Sequence, residues 1–264
     1  MNIGIIGLGV VGSACKKGFE LQGHTVLVHD TKLNTSIDTI LPTEIVYICV
    51  PTPSLENGEC DISRLNDIIL RLDNSKYTGV IAIKSTMIPG SIKNLATTTN
   101  IDICFVPEFL REWCAEDDFI VNHKLLAIGC NTDKAFDTVI KSHGTLPKQT
   151  IRLSPIEAEI LKYYNNVFNA LRITFANNMF ELCEVLDADY TKIKNSYLMR
   201  ETATNDYMDC NGNLRGFGGM CLPKDTRALA KLFNDLNLNY DLIKAIDNDN
   251  KKFKQTIRIG MRKL

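Results

Sequence analysis

Ten consecutive residues gather the groups best suited to chemistry: Gly216-Phe217-Gly218-Gly219-Met220-Cys221-Leu222-Pro223-Lys224-Asp225. The glycines let backbone approach a ligand closely. Cys221 stands just before a helix start, with Lys224 and Asp225 within one turn of it, and both a cation and a helix N-terminus favour thiolate, the nucleophilic form. Cys49, Cys104, Cys130 and Cys183 fall inside apolar elements and read instead as small buried side chains. A second constellation is Val106-Pro107-Glu108-Phe109-Leu110-Arg111-Glu112, directly after an apolar run. Glu108 and Glu112 are four residues apart and would share a face on a helical turn, although such glutamates are most often simply solvated. Lys162 and Asn166 repeat the spacing inside an otherwise apolar stretch. A lysine and an amide there need partners; a developing oxyanion is one, and a snorkelling lysine beside a core amide is an equal alternative.

The first residues carry a different signal. Gly7-Leu8-Gly9-Val10-Val11-Gly12 follows a strand pattern and opens a helical one, and the next strand ends in Asp30, eighteen residues after Gly12. Strand, glycines, helix and carboxylate stand in the order a dinucleotide site needs: a tight turn, bare backbone against a pyrophosphate, a helix N-terminus facing its charge and an acceptor for ribose hydroxyls. Asp30 favours NAD over NADP because a carboxylate repels a 2′-phosphate; Lys32 pulls the other way. Val50-Pro51-Thr52-Pro53 and Lys84-Ser85-Thr86 leave the carboxyl ends of later strands, the rim where such sheets bind ligands. Each could equally be a plain proline turn or a helix cap.

These residues must be held by elements that the pattern also predicts. Short β-branched runs at Asn2 to Ile6, Thr25 to His29, Ile45 to Val50, Gly79 to Lys84, Ile101 to Val106 and Leu125 to Gly129 alternate with helical patterns. Apolar on both parities, they read as strands covered on both faces, hence an α/β, Rossmann-like doubly wound parallel sheet. Ser154-Pro155-Ile156-Glu157 is a capping box opening a long helix to about Leu186. Helices are expected at Asp189 to Glu201, at Asp225 to Leu236 and from about Asp241 onward, with a loop from Cys210 to Asp225. The organisation is therefore an α/β domain over residues 1–152 followed by an all-α domain over residues 153–264 with one long central helix.

Thirty basic against thirty-one acidic residues leave no global field for nucleic acid or an anionic membrane. No apolar stretch reaches the roughly 18 residues of a membrane span, and the start has no cationic leader, so a soluble, cytoplasmic protein is expected. Nine cysteines with no two three apart suggest reduced thiols rather than a disulfide framework, and no metal site.

Taken together, the glycine fingerprint, Lys84-Ser85-Thr86, Pro107-Glu108-Phe109-Leu110, the Lys162 to Asn166 helix and the Gly218 to Asp225 loop resemble the UDP-glucose/GDP-mannose dehydrogenase family over nearly the whole chain. The resemblance implies an NAD-dependent, four-electron oxidation of a nucleotide-sugar C6 alcohol to the carboxylate through a thiohemiacetal and thioester on Cys221. It casts Glu108 and Asp225 as general bases, Lys162 and Asn166 as oxyanion partners, and Thr86 as positioning water and nicotinamide. It places Gly7, Gly9, Val10, Val11, Gly12, Asp30, Lys32, Val50, Thr52, Pro53, Ser85, Thr86 and Glu112 around the cofactor. Around the sugar it places Glu108, Phe109, Leu110, Lys162, Asn166, Phe217, Gly218 and Lys224. It also implies a homodimer through the long helix.

The family pattern is not matched everywhere. A third, nucleotide-gripping domain would begin where this chain stops, after a basic stretch containing Lys251, Lys252, Lys254, Arg258, Arg262 and Lys263. The Asp30 to Ile45 stretch is short for the usual strand and helix, Trp113 stands where the family has glycine, and an arginine upstream of the glycine loop has no secure match. Two other readings are therefore kept: a cofactor-binding module that pairs with or regulates a longer homologue, and a dehydrogenase of a smaller sugar or hydroxy acid.

Overall fold

The structure, a computed structural model, describes residues 1–55, 58–201 and 203–256. Packing divides the chain into two units, Met1–Leu55 with Cys60–Lys162, and Glu56–Glu59 with Tyr163–Leu264.

The first unit is built on seven strands: β1 (Asn2–Ile6), β2 (Thr25–His29), β3 (Ile45–Ile48), β4 (Val80–Ile83), β5 (Ile103–Phe105), β6 (Leu126–Gly129) and β7 (Thr150–Leu153), ordered β2-β1-β3-β4-β5-β6-β7. Its helices are α1 (Val10–Leu21), α2 (Ser63–Asn74), α3 (Ser91–Leu95), α4 (Ala115–Ile120) and α5 (Asp133–His143). Alternate residues of the central strands feed two separate cores. Ile3, Ile5, Ile45, Tyr47, Val80, Ala82 and Cys104 pack with Phe19 and Phe119, whereas Ile6, Val46, Ile48, Ile81, Ile83 and Phe105 pack with Leu65, Leu72 and Ile92. This two-sided burial is why the strands are apolar on both parities.

The sheet is not wholly parallel, as the alternating pattern had suggested. β6 meets β5 antiparallel, through Phe105↔Gly129, and β7 then lies parallel to β6. Between β5 and β6 the chain runs irregularly over 106–111 and coils only into a tight turn and the six-residue α4. That is too little helix for a full crossover. β7 escapes an apolar-run search because it is an exposed edge, Thr-Ile-Arg-Leu. From Asp30 to Ile45 there are only two short helical turns, Thr31–Leu33 and Ile37–Ile40.

α6 (Pro155–Val185) is the long helix, its first two turns belonging to the first unit and the rest to the second. Ser154 and Glu157 form the expected cap, with Glu157 Oε2 accepting from the Ser154 amide at 2.8 Å and its hydroxyl at 2.7 Å. Gly129 is required where α6 begins, because a Cβ there would lie 2.5 Å from Ala158 Cβ. In the second unit follow α7 (Tyr190–Leu198), α8 (Leu222–Asp235) and α9 (Leu242–Asn250), with α8 and α9 packed along each other. α8 starts three residues earlier than the sequence pattern suggested, with Pro223 in its first turn. α9 stops at Asn250 rather than continuing; Arg258, Arg262 and Lys263 lie outside the described residues. Among the described residues no helix is long and apolar enough to cross a membrane.

Candidate active site

The glycine turn has the form of a dinucleotide cradle. Gly7 takes φ +91°, a left-handed conformation that favours glycine, and a Cβ on Gly12 would lie 2.0 Å from the Gly7 carbonyl oxygen. Gly9 differs: a Cβ there would meet nothing in the protein within 4 Å, so the space its hydrogen leaves open is space for something outside the chain. Gly9 is also the N-cap of α1 and makes no side-chain cap bond, so the first-turn N–H groups point outward beside Val10, which is exposed. Asp30 closes the cradle. Its Oδ2 accepts from the Leu8 N–H at 2.6 Å and its Oδ1 from the Lys32 N–H at 2.8 Å, and these two backbone bonds hold its carboxyl below the usual range. An anionic acceptor is thus fixed at the end of β2, and the turn fits a dinucleotide.

The two neighbouring loops are tied to each other. Thr52 donates to the Thr86 carbonyl at 2.7 Å, and Ser85 donates to the Val50 carbonyl at 2.8 Å. Both hydroxyls are buried. The Thr86 hydroxyl makes no hydrogen bond among the described residues and is only half-buried. Pro53 is exposed.

Glu108 and Glu112 do not share a helical face. Residues 106–111 are irregular, and Glu112 lies exposed in the short turn Glu112–Cys114. Arg111 turns away to Asp118, with Nε 2.8 Å from Oδ2, and its guanidinium covers the Trp113 ring at 4.7 Å. Glu108 is instead drawn to Lys162, whose Nζ lies 2.9 Å from its Oε1 and 2.5 Å from its carbonyl oxygen. Burial pushes the Glu108 carboxyl up, but the charge and hydrogen bond of Lys162, the Leu110 N–H at 2.8 Å and the charge of Lys84 outweigh it and hold the group below the usual carboxylate range. The Lys162 ammonium also lies 5.8 Å from the Phe109 ring centroid. One turn before Lys162, the buried carboxylate of Glu159 accepts from the N–H groups of Gly90 at 2.6 Å and Ile92 at 2.8 Å, bonding α6 to the start of α3. Glu159 was not singled out from the sequence; its signal is a charged residue on the buried side of an apolar helix.

The second unit assembles the cysteine loop. Cys221 is the exposed N-cap of α8, and its carbonyl accepts the first helical bond, from the Asp225 N–H at 2.9 Å. Asp225 is fully buried. Asn166 Nδ2 donates to its Oδ2 at 2.6 Å, while Lys224 Nζ stands 2.7 Å from its Oδ1. That contact is an ion pair by distance yet falls outside hydrogen-bond geometry, so a buried donor and a buried acceptor each keep an unused direction. Asn166 Oδ1 accepts from Asn165 Nδ2 at 2.9 Å. Behind the loop, Asn177 of α6 accepts from Arg215 Nε at 2.9 Å, and the Arg215 guanidinium stacks 4.8 Å from the Phe180 ring. The Phe217 side chain is buried, with its backbone N–H and carbonyl both bonded to the Asn250 amide. Asn250, too, escaped the sequence reading. In Asp247-Asn248-Asp249-Asn250 it looks like part of a solvated surface, and only its four-residue spacing from the buried Ile246 hints otherwise.

Known proteins resemble this chain in sequence and in fold. The NAD binding domain of the UDP-glucose/GDP-mannose dehydrogenase family matches residues 31–145, and the central domain of the same family matches residues 156–252. A UDP-glucose 6-dehydrogenase of Haloferax volcanii is 27% identical over 87% of this chain and 64% of its own length. One from Rickettsia typhi is 27% identical over 95% of this chain and 67% of its own. A UDP-glucose dehydrogenase structure from Pyrobaculum islandicum superposes with a TM-score of 0.86 at 25% identity, over 95% of this chain and 68% of the other. The chain thus spans about two-thirds of the length of these relatives. Its cofactor is NAD, and the chain belongs to the UDP-glucose/GDP-mannose dehydrogenase family, of which it carries the NAD-binding and central domains.

Proposed function

We propose that the chain is an NAD-dependent nucleotide-sugar dehydrogenase that oxidises the C6 alcohol of UDP-glucose to the carboxylate of UDP-glucuronate through Cys221. One observation carries this reading: within the second unit Cys221 caps α8, and Asn166 of α6 holds the buried Asp225 of that helix's first turn.

Gly7, Gly9, Val10, Val11, Gly12 and Asp30 hold the NAD, with Lys32, Val50, Thr52, Pro53, Ser85, Thr86 and Glu112 around it. Bound NAD supplies the hydride acceptor for both oxidations. The C6 hydroxyl gives its proton to a base as the carbon is oxidised to an aldehyde. The Cys221 thiolate adds to that carbonyl carbon, forming a C–S bond and an oxyanion that Lys162 and Asn166 stabilise. Oxidation of this thiohemiacetal leaves a thioester. Water positioned by Thr86 and deprotonated by Glu108 or Asp225 adds to the thioester carbonyl, and the C–S bond breaks to give carboxylate and thiolate. One alcohol and one water thus yield one carboxylate, two hydrides and three protons. Phe109, Leu110, Phe217, Gly218 and Lys224 line the sugar side. Tyr164, Phe168, Phe175 and Leu182 are exposed at helical spacing along α6, the face a homodimer would cover.

Purified chain supplied with UDP-glucose and NAD⁺ is expected to form two NADH per sugar; a flat absorbance trace at high protein concentration across several nucleotide sugars would end the proposal.

A further inference from the structure

Backbone groups across residues 215–218, just ahead of Cys221, are bonded to the last residue of α9 and to the segment that follows it. The Arg215 N–H donates to Thr256 Oγ1 at 3.1 Å, the Gly216 carbonyl accepts from the Thr256 N–H at 2.9 Å, and the Gly218 N–H donates to the Thr256 carbonyl at 3.1 Å. The residue between them, Phe217, is held differently. Asn250 Oδ1 accepts its N–H at 2.8 Å and Asn250 Nδ2 donates to its carbonyl at 2.9 Å. An amide side chain offers one acceptor and two donors, so a single asparagine can make the reciprocal two-bond pattern that a neighbouring strand residue would make. Asn250 is 1% exposed, as is Phe217, so water does not replace these bonds. Gly216 shows how close the approach is, since a Cβ there would lie 2.5 Å from Asn250 Oδ1.

We propose that Asn250 is the positioning residue of the nucleophile: by clamping Phe217 it fixes the end of the three-residue span Gly218-Gly219-Met220, and hence where Cys221 stands at the start of α8. The span needs such an anchor. Within it Gly218 donates its N–H to the Thr256 carbonyl, Gly219 takes φ +80° and Met220 is exposed, so the bonds at its start set the path by which the chain reaches Cys221. Held in place, the thiol stays at the helix N-terminus, where the unpaired N–H groups favour thiolate. With the clamp removed, the path into Cys221 shifts, the thiol is less well aligned with that field and its thiolate fraction at neutral pH falls. This proposal rests on Cys221 being the nucleophile.

The test is the pH dependence of Cys221 alkylation by iodoacetamide, read by mass spectrometry of the Cys221 peptide from the full chain. Wild type is compared with Asn250→Ala, Asn250→Asp and, as a control for general loosening of α9, Ile246→Val. Asn250→Asp keeps the acceptor but sets a carboxylate oxygen against the Phe217 carbonyl, and it remains informative should Asn250→Ala fail to fold. Both Asn250 variants are expected to move the alkylation midpoint upward, lowering reactivity at neutral pH on the order of threefold or more, and to lower kcat with KM for NAD unchanged. Ile246→Val is expected to match wild type. An unchanged midpoint in a folded Asn250 variant, or an equal shift in Ile246→Val, overturns the proposal. Turnover of Cys221→Ser is measured alongside. Turnover that survives it sinks the nucleophile reading alone, whereas the alkylation profile judges the clamp.

Discussion

Lys162 Nζ bonds Glu108 twice, at 2.9 Å to the carboxylate and at 2.5 Å to the carbonyl oxygen, with the lysine side chain 4% exposed and the glutamate side chain 10% exposed. The pair keeps Glu108 ionised despite its burial, which is the form a base needs. Replacing Lys162 by Met removes the outweighing charge, so burial should raise the Glu108 carboxyl. The acid limb of the kcat profile is then expected to move to higher pH, with kcat reduced by about 100- to 1,000-fold if the ammonium also stabilises the oxyanion. An acid limb that stays in place while kcat falls would separate Lys162 from the ionisation of Glu108.

Gly9 and Gly12 should behave oppositely when changed to alanine. Gly12→Ala drives a methyl to 2.0 Å from the Gly7 carbonyl oxygen, so it should cost about 1–3 kcal/mol of stability and disorder the turn. Gly9→Ala meets no protein atom within 4 Å at an ordinary φ of −80°, so the melting temperature should be unchanged. NAD affinity should nevertheless fall by about tenfold or more, because the methyl occupies the approach to the pyrophosphate. Calorimetric titration of folded Gly9→Ala that returns wild-type affinity would place the cofactor elsewhere.

Asp30 should set the choice of dinucleotide. Hydrogen bonds to a charged acceptor contribute about 1.5–3 kcal/mol, so Asp30→Ala is expected to weaken NAD binding by about tenfold or more and to narrow its advantage over NADP. Because the carboxylate also holds the Leu8 and Lys32 N–H groups, some loss of stability should accompany this. Equal affinity for the two dinucleotides in the wild type would contradict the assignment.

His123 gives the first unit a pH-dependent stability. Burial, assisted by the charge of Lys84, lowers its pKa from 6.5 to about 4. The unfolded chain therefore binds the proton first, so the contribution is complete above pH 6.5 and is lost as pH falls from 6.5 through 4. At about 1.36 kcal/mol per pH unit the loss is at most about 3.5 kcal/mol. His123→Phe should flatten this part of the melting profile, while the neighbouring His143, also held low by burial, keeps a residual slope. Parallel profiles for the two proteins would remove His123 from the account.

The parts of the fold that were legible in the sequence are those where one local cause dominates. β1, β2 and the ends of α6 follow from apolar parity and the Ser154 cap, and the turn conformation at Gly7 follows from the glycines themselves. β7 and the antiparallel β6 were hidden, because an edge strand need not be apolar and strand direction depends on how much helix the connection contains. Among the candidate site residues, Cys221, Asp225, Lys162 and Glu108 stood out by residue type. The supposed Glu108 to Glu112 helical face did not form, since Glu108 is drawn to Lys162 from another element. Asn250 and Glu159 act through backbone groups distant in sequence, and no spacing along the chain encodes such bonds.

The central claim is that the substrate carbon becomes bonded to the sulfur of Cys221. Quenching wild-type protein in acid during turnover of UDP-glucose with NAD⁺, then weighing its peptides, tests this directly. The account predicts a UDP-glucuronyl mass increment on the Cys221 peptide that hydroxylamine removes and that Cys221→Ser lacks. NADH formation with that peptide unmodified at every quench time, and undiminished in Cys221→Ser, would contradict it.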